Sequence, residues 1–196
     1  AGSNCTETAL MKSLAYEKLG VDGLLLITPY YNKANEKGMY RHFVEIADQV
    51  HTPIVLYNVP GRTGCALSVG CVEALSKHKN IRALKEASGS ISYAAKVARY
   101  ITPDFELLSG NDDMIVPILS LGGVGVISTI GNVAPARMKE IVDLCAAGDW
   151  EAAAAANEAL MPLMKGLFET SNPILVKEAL KLLGFPVGGV RLPLVD

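Results

Sequence analysis

The sequence predicts an α/β fold built on parallel strands, and three observations carry that expectation. Five short, largely apolar runs end near Thr28, Asn58, Glu86, Ser109 and Ser128, and each leads into a stretch with helical spacing. Runs without polar alternation suit strands covered on both faces, and strands alternating with helices suit right-handed βαβ units. The polar residues with chemical character (Tyr30, Tyr31, Tyr57, Asn58, Arg62, Lys85, Ser109, Gly110, Asp112, Ser128) fall at or just past the C-terminal ends of those runs. Barrel enzymes and doubly wound sheets both keep their sites there. Five strands do not close an eight-stranded barrel, so the residues alone leave either an open sheet or a barrel lacking its first strands. The chain contains neither a GxGxxG turn nor a Walker loop, which weakens a nucleotide-binding version.

In chain order, Asn4 or Thr6 is placed to cap a first helix with Glu7 in its first turn, Leu10, Leu14 and Leu19 as its apolar positions and Gly20 at its end. Asp22 to Thr28 is a strand stopped by Pro29. A polar loop, Tyr30 to Lys37, precedes a helix from Gly38 to Val50 with the stripe Met39, Phe43, Ile46, Ala47 and Val50. Pro53 opens the strand Ile54 to Asn58, and the loop Val59 to Gly64 leads to a helix over about 69–78. The run Ile81 to Glu86 is the third strand. A helix over about 91–101, the strand Phe105 to Ser109, and a helix that starts after Gly110–Asp113 and ends at Gly122-Gly123 follow. The last strand is Val124 to Ser128, and three helices remain: about 134–147, Trp150 to Lys165, and Pro173 to Leu183.

Half of the 196 residues are hydrophobic and 19% are charged, so a packed core is expected and disorder is not. The 18 basic and 20 acidic residues are intermixed and give a net charge of −2, without the basic stripe that nucleic acid or an anionic membrane would require. No apolar run approaches a membrane span and no signal-peptide pattern occurs. Cys5, Cys65, Cys71 and Cys145 form no CxxC pair and read as reduced thiols of a cytoplasmic protein. His42, His51 and His78 are expected on helix or turn surfaces without carboxylate or cysteine partners, which argues against a metal site. Asp112 and Asp113 fit helix capping better than an acid pair, and the alanine run at 152–156 fits a helix with small packing residues.

The segment Ile81-Arg82-Ala83-Leu84-Lys85-Glu86-Ala87-Ser88-Gly89 organises the functional expectation. A lysine near the end of a strand covered on both faces leaves water, and desolvation favours the neutral amine that attacks a ketone to form a Schiff base. Taken alone, the segment fits equally an edge strand whose lysine reaches solvent. The wider pattern decides. Thr28-Pro29-Tyr30-Tyr31-Asn32, Tyr57-Asn58-Val59-Pro60-Gly61-Arg62-Thr63-Gly64, Leu84 to Gly89, Leu108-Ser109-Gly110-Asn111-Asp112 and Gly122 to Ser128 occur in order, and together they resemble the dihydrodipicolinate synthase family of pyruvate-dependent class I aldolases over essentially the whole chain.

That resemblance implies a (β/α)8 TIM barrel with a C-terminal helical extension. The five runs would be strands four to eight; residues 1–147 would be part of the catalytic barrel and 148–196 a truncated extension. Ala1-Gly2-Ser3-Asn4 resembles the tail of a Gly-Thr-Gly-x-Asn segment at the end of the third strand, and the 196 residues alone are expected to have little activity. The resemblance implies condensation of pyruvate with L-aspartate-4-semialdehyde through a Schiff base on Lys85, giving 4-hydroxy-tetrahydrodipicolinate for lysine and diaminopimelate biosynthesis, without metal or nucleotide cofactor. Tyr57 would relay protons together with Tyr31, which matches a tyrosine supplied to a neighbouring subunit, and with a threonine from a strand outside this chain. Arg62 would capture the semialdehyde carboxylate with help from Thr63, since a guanidinium suits bidentate carboxylate binding. Gly110 and Ile127 match positions whose backbone lines the pyruvate pocket.

The family's oligomer implies a homotetramer, or a homodimer at least. N-acetylneuraminate lyases and keto-deoxy sugar-acid aldolases share the lysine and tyrosine but usually not the Gly-Arg-Thr-Gly run, and a non-catalytic piece of the barrel is a third reading. Many family members bind L-lysine at a subunit interface. Asn4 and Tyr30 match that site, but its glutamate position falls on Thr8, with Glu7 shifted by one residue. Lysine feedback is therefore expected to be weak or absent. Titration of the full-length enzyme with L-lysine should leave turnover nearly unchanged, and strong inhibition would contradict the expectation.

Overall fold

The computed structural model describes residues 1–195. Its elements alternate as expected: α1 (Thr6–Lys18), β1 (Leu24–Ile27), α2 (Glu36–Ala47), β2 (Ile54–Asn58), the single turn α3 (Pro60–Thr63), α4 (Val69–Leu75), β3 (Ile81–Glu86), α5 (Ile91–Ala98) and β4 (Glu106–Ser109). A 3-10 turn, Asp112–Met114, then precedes α6 (Ile115–Ser120) and β5 (Gly125–Val126), and a second one, Ile130–Asn132, precedes α7 (Pro135–Ala146), α8 (Trp150–Leu167) and α9 (Ile174–Leu182).

The five strands form one sheet in chain order. β1 and β2 pair in parallel from Leu24 opposite Ile54 to Ile27 opposite Tyr57. β2 and β3 also pair in parallel, but the register shifts between Ile54 and Val55: Ile54 faces Ile81, whereas Val55 faces Ala83. The extra residue, Arg82, is half-buried and reaches Asp104 at 2.9 Å. A one-residue insertion of this kind re-aims everything beyond it. Here it puts Tyr57 opposite Lys85 and Asn58 opposite Glu86. Beside β4, Val124 N donates to Leu107 O and Ile127 N to Ser109 O, both at 2.9 Å. β5 has two residues where the sequence suggested five.

The chain groups into two compact units, Ala1–Leu108 with Leu121–Val124, and Ser109–Ser120 with Gly125–Asp196. The boundary expected between residues 147 and 148 falls inside the second unit, and its far end, Asp196, lies outside the described residues. In the first unit Leu26, Leu56 and Leu84 of the sheet are fully buried with Phe43 and Ile46 of α2, Val72 and Leu75 of α4, and Ala94 of α5. The second unit buries Ile115, Ile118, Ile130, Ile141 and Ala153.

Two helices depart from expectation. α2 begins at Glu36 rather than Gly38 because Asn35 is its cap, its side chain accepting from Gly38 N at 2.9 Å. α1 has neither expected cap: Cys5 holds that position without a side-chain bond. Its buried residues are Ala9 and Ser13, while Leu10 and Leu14 are half-buried and Leu19 is exposed. Small residues one turn apart let α1 approach α2 closely, and the Ser13 hydroxyl is satisfied by Ala9 O at 2.7 Å. Gly2 packs so near β1 that a Cβ there would meet Ile27 Cγ2 at 2.6 Å.

Phe43 has no exposed surface. Phe43→Ala should lower the unfolding free energy by about 3–5 kcal/mol. Denaturant titration of the two proteins reads the difference, and near-equal midpoints would contradict this account of the core.

Candidate active site

The parallel pairing of β2 with β3 puts two of the sequence-predicted residues against each other. Lys85, at the penultimate position of β3, is only 9% exposed, and its Nζ lies 4.2 Å from the centroid of the Tyr57 ring. An ammonium over a ring face is attracted to it. A neutral amine in the same place has a phenol as its neighbour. Burial pushes the Tyr57 phenol above the ordinary tyrosine value, against the pull of the Arg62 positive charge.

The other face of the same two strand ends carries Asn58 and Glu86, the next residues along. Asn58 has no exposed surface and Glu86 is 3% exposed. Asn58 Nδ2 donates to Glu86 Oε2 at 2.7 Å, and Asn58 Oδ1 accepts from Leu67 N at 3.0 Å. Glu86 Oε1 accepts from Ser88 N at 2.6 Å, and Ala87 N donates to Asn58 O at 2.9 Å. Burial pushes the Glu86 carboxyl up despite these donors. From sequence Asn58 stands out only as a strand-end polar residue and Glu86 has no assigned part; the signal for Glu86 is a charged residue directly after the lysine in a largely apolar run.

Arg62 sits on the loop after β2. Pro60 opens the single turn α3, and Gly64 closes it with φ +72°, a left-handed conformation that favours glycine, its N–H returning to Pro60 O at 2.9 Å. Arg62 is exposed. Thr63 is buried, and its hydroxyl is engaged inside the chain: it lies 2.8 Å from Cys65 O and 3.2 Å from Val59 O, and accepts from the Thr28 hydroxyl at 3.2 Å. Thr63 O accepts from Tyr31 N at 3.0 Å, which ties the loop after β1 to the loop after β2. Tyr31 is 86% exposed, with φ +71°, an uncommon conformation for a tyrosine. Tyr30, Tyr31, Lys33, Arg62 and Gly64 line a hollow of about 490 Å3. Its two cations suit a carboxylate. Lys33 was not picked out from sequence, where nothing separates it from a solvated loop lysine.

Asn4 adjoins the same loop, since Asn32 Nδ2 donates to Asn4 O at 2.7 Å, so the structure brings Asn4 and the Tyr30–Asn32 segment together. Gly110 and Ile127 belong to the second unit, where Ile127 N is held by Ser109 O. Asp112 is buried, and its Oδ2 accepts from Thr129 N and Ile130 N at 3.0 and 3.1 Å, so it anchors the start of the 130–132 turn rather than its own helix. The expectation for the histidines needs correcting. His42 is buried, because it lies on the apolar face of α2 beside Phe43, with Nδ1 2.9 Å from the Thr6 hydroxyl. His78 has a carboxylate partner, Asp48, at 3.1 Å. Among the described residues no group of three His, Cys, Asp or Glu is placed to hold a metal ion.

The model of the dihydrodipicolinate synthetase family matches residues 1–196. The 4-hydroxy-tetrahydrodipicolinate synthase of Caldicellulosiruptor saccharolyticus is 49% identical over 98% of this chain and 65% of its own length. The crystal structure of DHDPS from Cyanidioschyzon merolae with lysine bound covers 100% of this chain and 67% of that one, with a TM-score of 0.97 and 42% identity. The chloride-inhibited dihydrodipicolinate synthase from Acinetobacter baumannii complexed with pyruvate covers the same shares, with a TM-score of 0.96 and 38% identity. The chain belongs to the dihydrodipicolinate synthetase family. It spans about two thirds of the length of the relatives it matches.

The Arg62 charge favours the phenolate of Tyr57, so its removal should raise the Tyr57 titration further. Spectroscopic titration of Arg62→Leu beside the parent should show the Tyr57 transition moved to higher pH. An unmoved transition would mean that the phenol does not feel the loop.

Proposed function

We propose that this chain carries the Schiff-base half of a pyruvate-dependent lyase that condenses pyruvate with L-aspartate-4-semialdehyde to 4-hydroxy-tetrahydrodipicolinate. The observation that carries this reading is the buried Lys85 amine against the Tyr57 ring at the ends of two parallel strands, in a chain that belongs to the dihydrodipicolinate synthetase family. The neutral amine of Lys85 adds to the keto carbon of pyruvate. Tyr57, whose ring lies against the Lys85 nitrogen, passes protons so that the carbinolamine oxygen leaves as water. The resulting iminium draws electrons from the methyl carbon, whose lost proton leaves an enamine. The enamine carbon attacks the semialdehyde carbonyl, and the substrate's own amine then displaces Lys85 by transimination and closes the ring.

Arg62, with Lys33 beside it, binds the semialdehyde carboxylate. Thr63 contributes by fixing the loop that carries Arg62, its hydroxyl being engaged within the chain. Gly110 and Ile127 supply backbone to the pyruvate pocket. The exposure and left-handed backbone of Tyr31 support its service to a neighbouring subunit, in a homotetramer or homodimer. Asn4 and Tyr30 are the remnant of a lysine regulatory site. Residues 1–147 belong to the barrel and 148–196 to its extension. The chemistry calls for no metal, nucleotide or other cofactor, and the enzyme works in the cytoplasm. No helix among the described residues is long and apolar enough to cross a membrane.

The test is steady-state turnover of the full-length protein with both substrates. Lys85→Arg should abolish formation of the heterocycle, and Arg62→Ala should raise KM for the semialdehyde about 10- to 100-fold while sparing that for pyruvate. Cleavage of N-acetylneuraminate to pyruvate, with no condensation of pyruvate and the semialdehyde, would assign the chain to a different aldolase.

A further inference from the structure

Tyr57 and Lys85 face each other from separate strands, and the residue after each of them ties the two strands together on the opposite face. Asn58 and Glu86 are aligned by the same register, buried, and joined at 2.7 Å. Each is held a second time. Asn58 Oδ1 takes Leu67 N, and the carbonyl of Leu67 in turn accepts from the Tyr93 hydroxyl of α5 at 2.8 Å. Glu86 Oε1 takes Ser88 N, the first turn beyond the strand. Each oxygen of the pair has a donor: an amide N–H and a backbone N–H on the carboxylate, and a backbone N–H on the amide oxygen. A buried pair closed in this way resists sliding or splaying, because any movement leaves a desolvated polar group without its partner.

We propose that Asn58 and Glu86 are positioning residues for the imine chemistry of Lys85: their buried hydrogen bond locks the ends of β2 and β3 in the register that keeps Tyr57 over the Lys85 nitrogen. The inference rests on the Schiff-base function given above. Neither residue touches substrate. Both act through the residue that precedes them, where a misplacement of about 1 Å costs on the order of 100-fold in rate.

The pair permits a reciprocal test. Asn58→Asp alone sets two carboxylates against each other, and Glu86→Gln alone leaves two donors facing one acceptor. Combined, the two changes reverse the bond: the new amide at 86 donates to the new carboxylate at 58, and Ser88 N and Leu67 N keep their acceptors. The measurement is the rate of borohydride-trapped pyruvate adduct per folded molecule of the full-length protein, across pH, with circular dichroism to count the folded fraction. Each single variant should trap about 10- to 100-fold more slowly with a displaced pH profile and an unchanged pyruvate dependence, and the double variant should return toward the parent rate and profile. The milder Glu86→Asp, which keeps the charge but shortens the reach, should slow trapping in the same direction and covers the case in which Glu86→Gln does not fold. A merely structural pair would lower the melting temperature and leave the rate per folded molecule and its pH profile unchanged. Folded single variants at the parent rate, or a folded double variant as slow as the singles, would overturn the inference. A parent protein that traps no pyruvate would overturn the Schiff-base function itself, a result that no variant can imitate.

Discussion

β2 and β3 meet in a register that sets Tyr57 opposite Lys85, and the site depends on that alignment. The register is not a plain continuation of the pairing that starts at Ile54 and Ile81. One residue is inserted at Arg82, whose side chain leaves the sheet toward Asp104. Without it Tyr57 would face Leu84, and the lysine would stand one position out of step. In a strand, one position is the difference between the two faces of the sheet. An irregularity at the start of β3 thus decides which side chain meets the phenol at its end.

The loops after β1 and β2 are held with comparable economy. Thr63 serves both: its carbonyl holds the backbone of Tyr31 in a left-handed conformation, and its hydroxyl closes the turn that presents Arg62 and meets Thr28. A strained, exposed tyrosine and a cation on neighbouring loops over rigid strand ends follow a general division of labour, in which the sheet fixes reactive groups and the loops reach for the substrate. Arg62 also bears on the chemistry below it, because its charge opposes the effect of burial on Tyr57.

Much of this was legible in the sequence because apolar strands and strand-end polar residues are local patterns. The ends of β2 and β3, the Lys85 position and the Pro-Gly-Arg-Thr-Gly turn all lie where local pattern put them. What escaped were features set by partners distant in sequence. The buried face of α1 follows small residues, Ala9 and Ser13, since close approach to α2 outweighs the leucines that helical spacing favours. His42 is buried because its helix face is apolar and Thr6 meets its ring, a contact across 36 residues. The Asn58–Glu86 bond spans 28 residues and required the register shift, which no single strand reveals. The shortening of β5 to Gly125–Val126 likewise has no local signal.

The most direct test of the account is chemical capture of the imine. The full-length protein is incubated with pyruvate, reduced with borohydride and digested, and the modified peptide is located by mass spectrometry. The account places the reduced pyruvate on Lys85, within the peptide that contains Ala83-Leu84-Lys85-Glu86. An adduct on another lysine, or a protein that carries none, would contradict it.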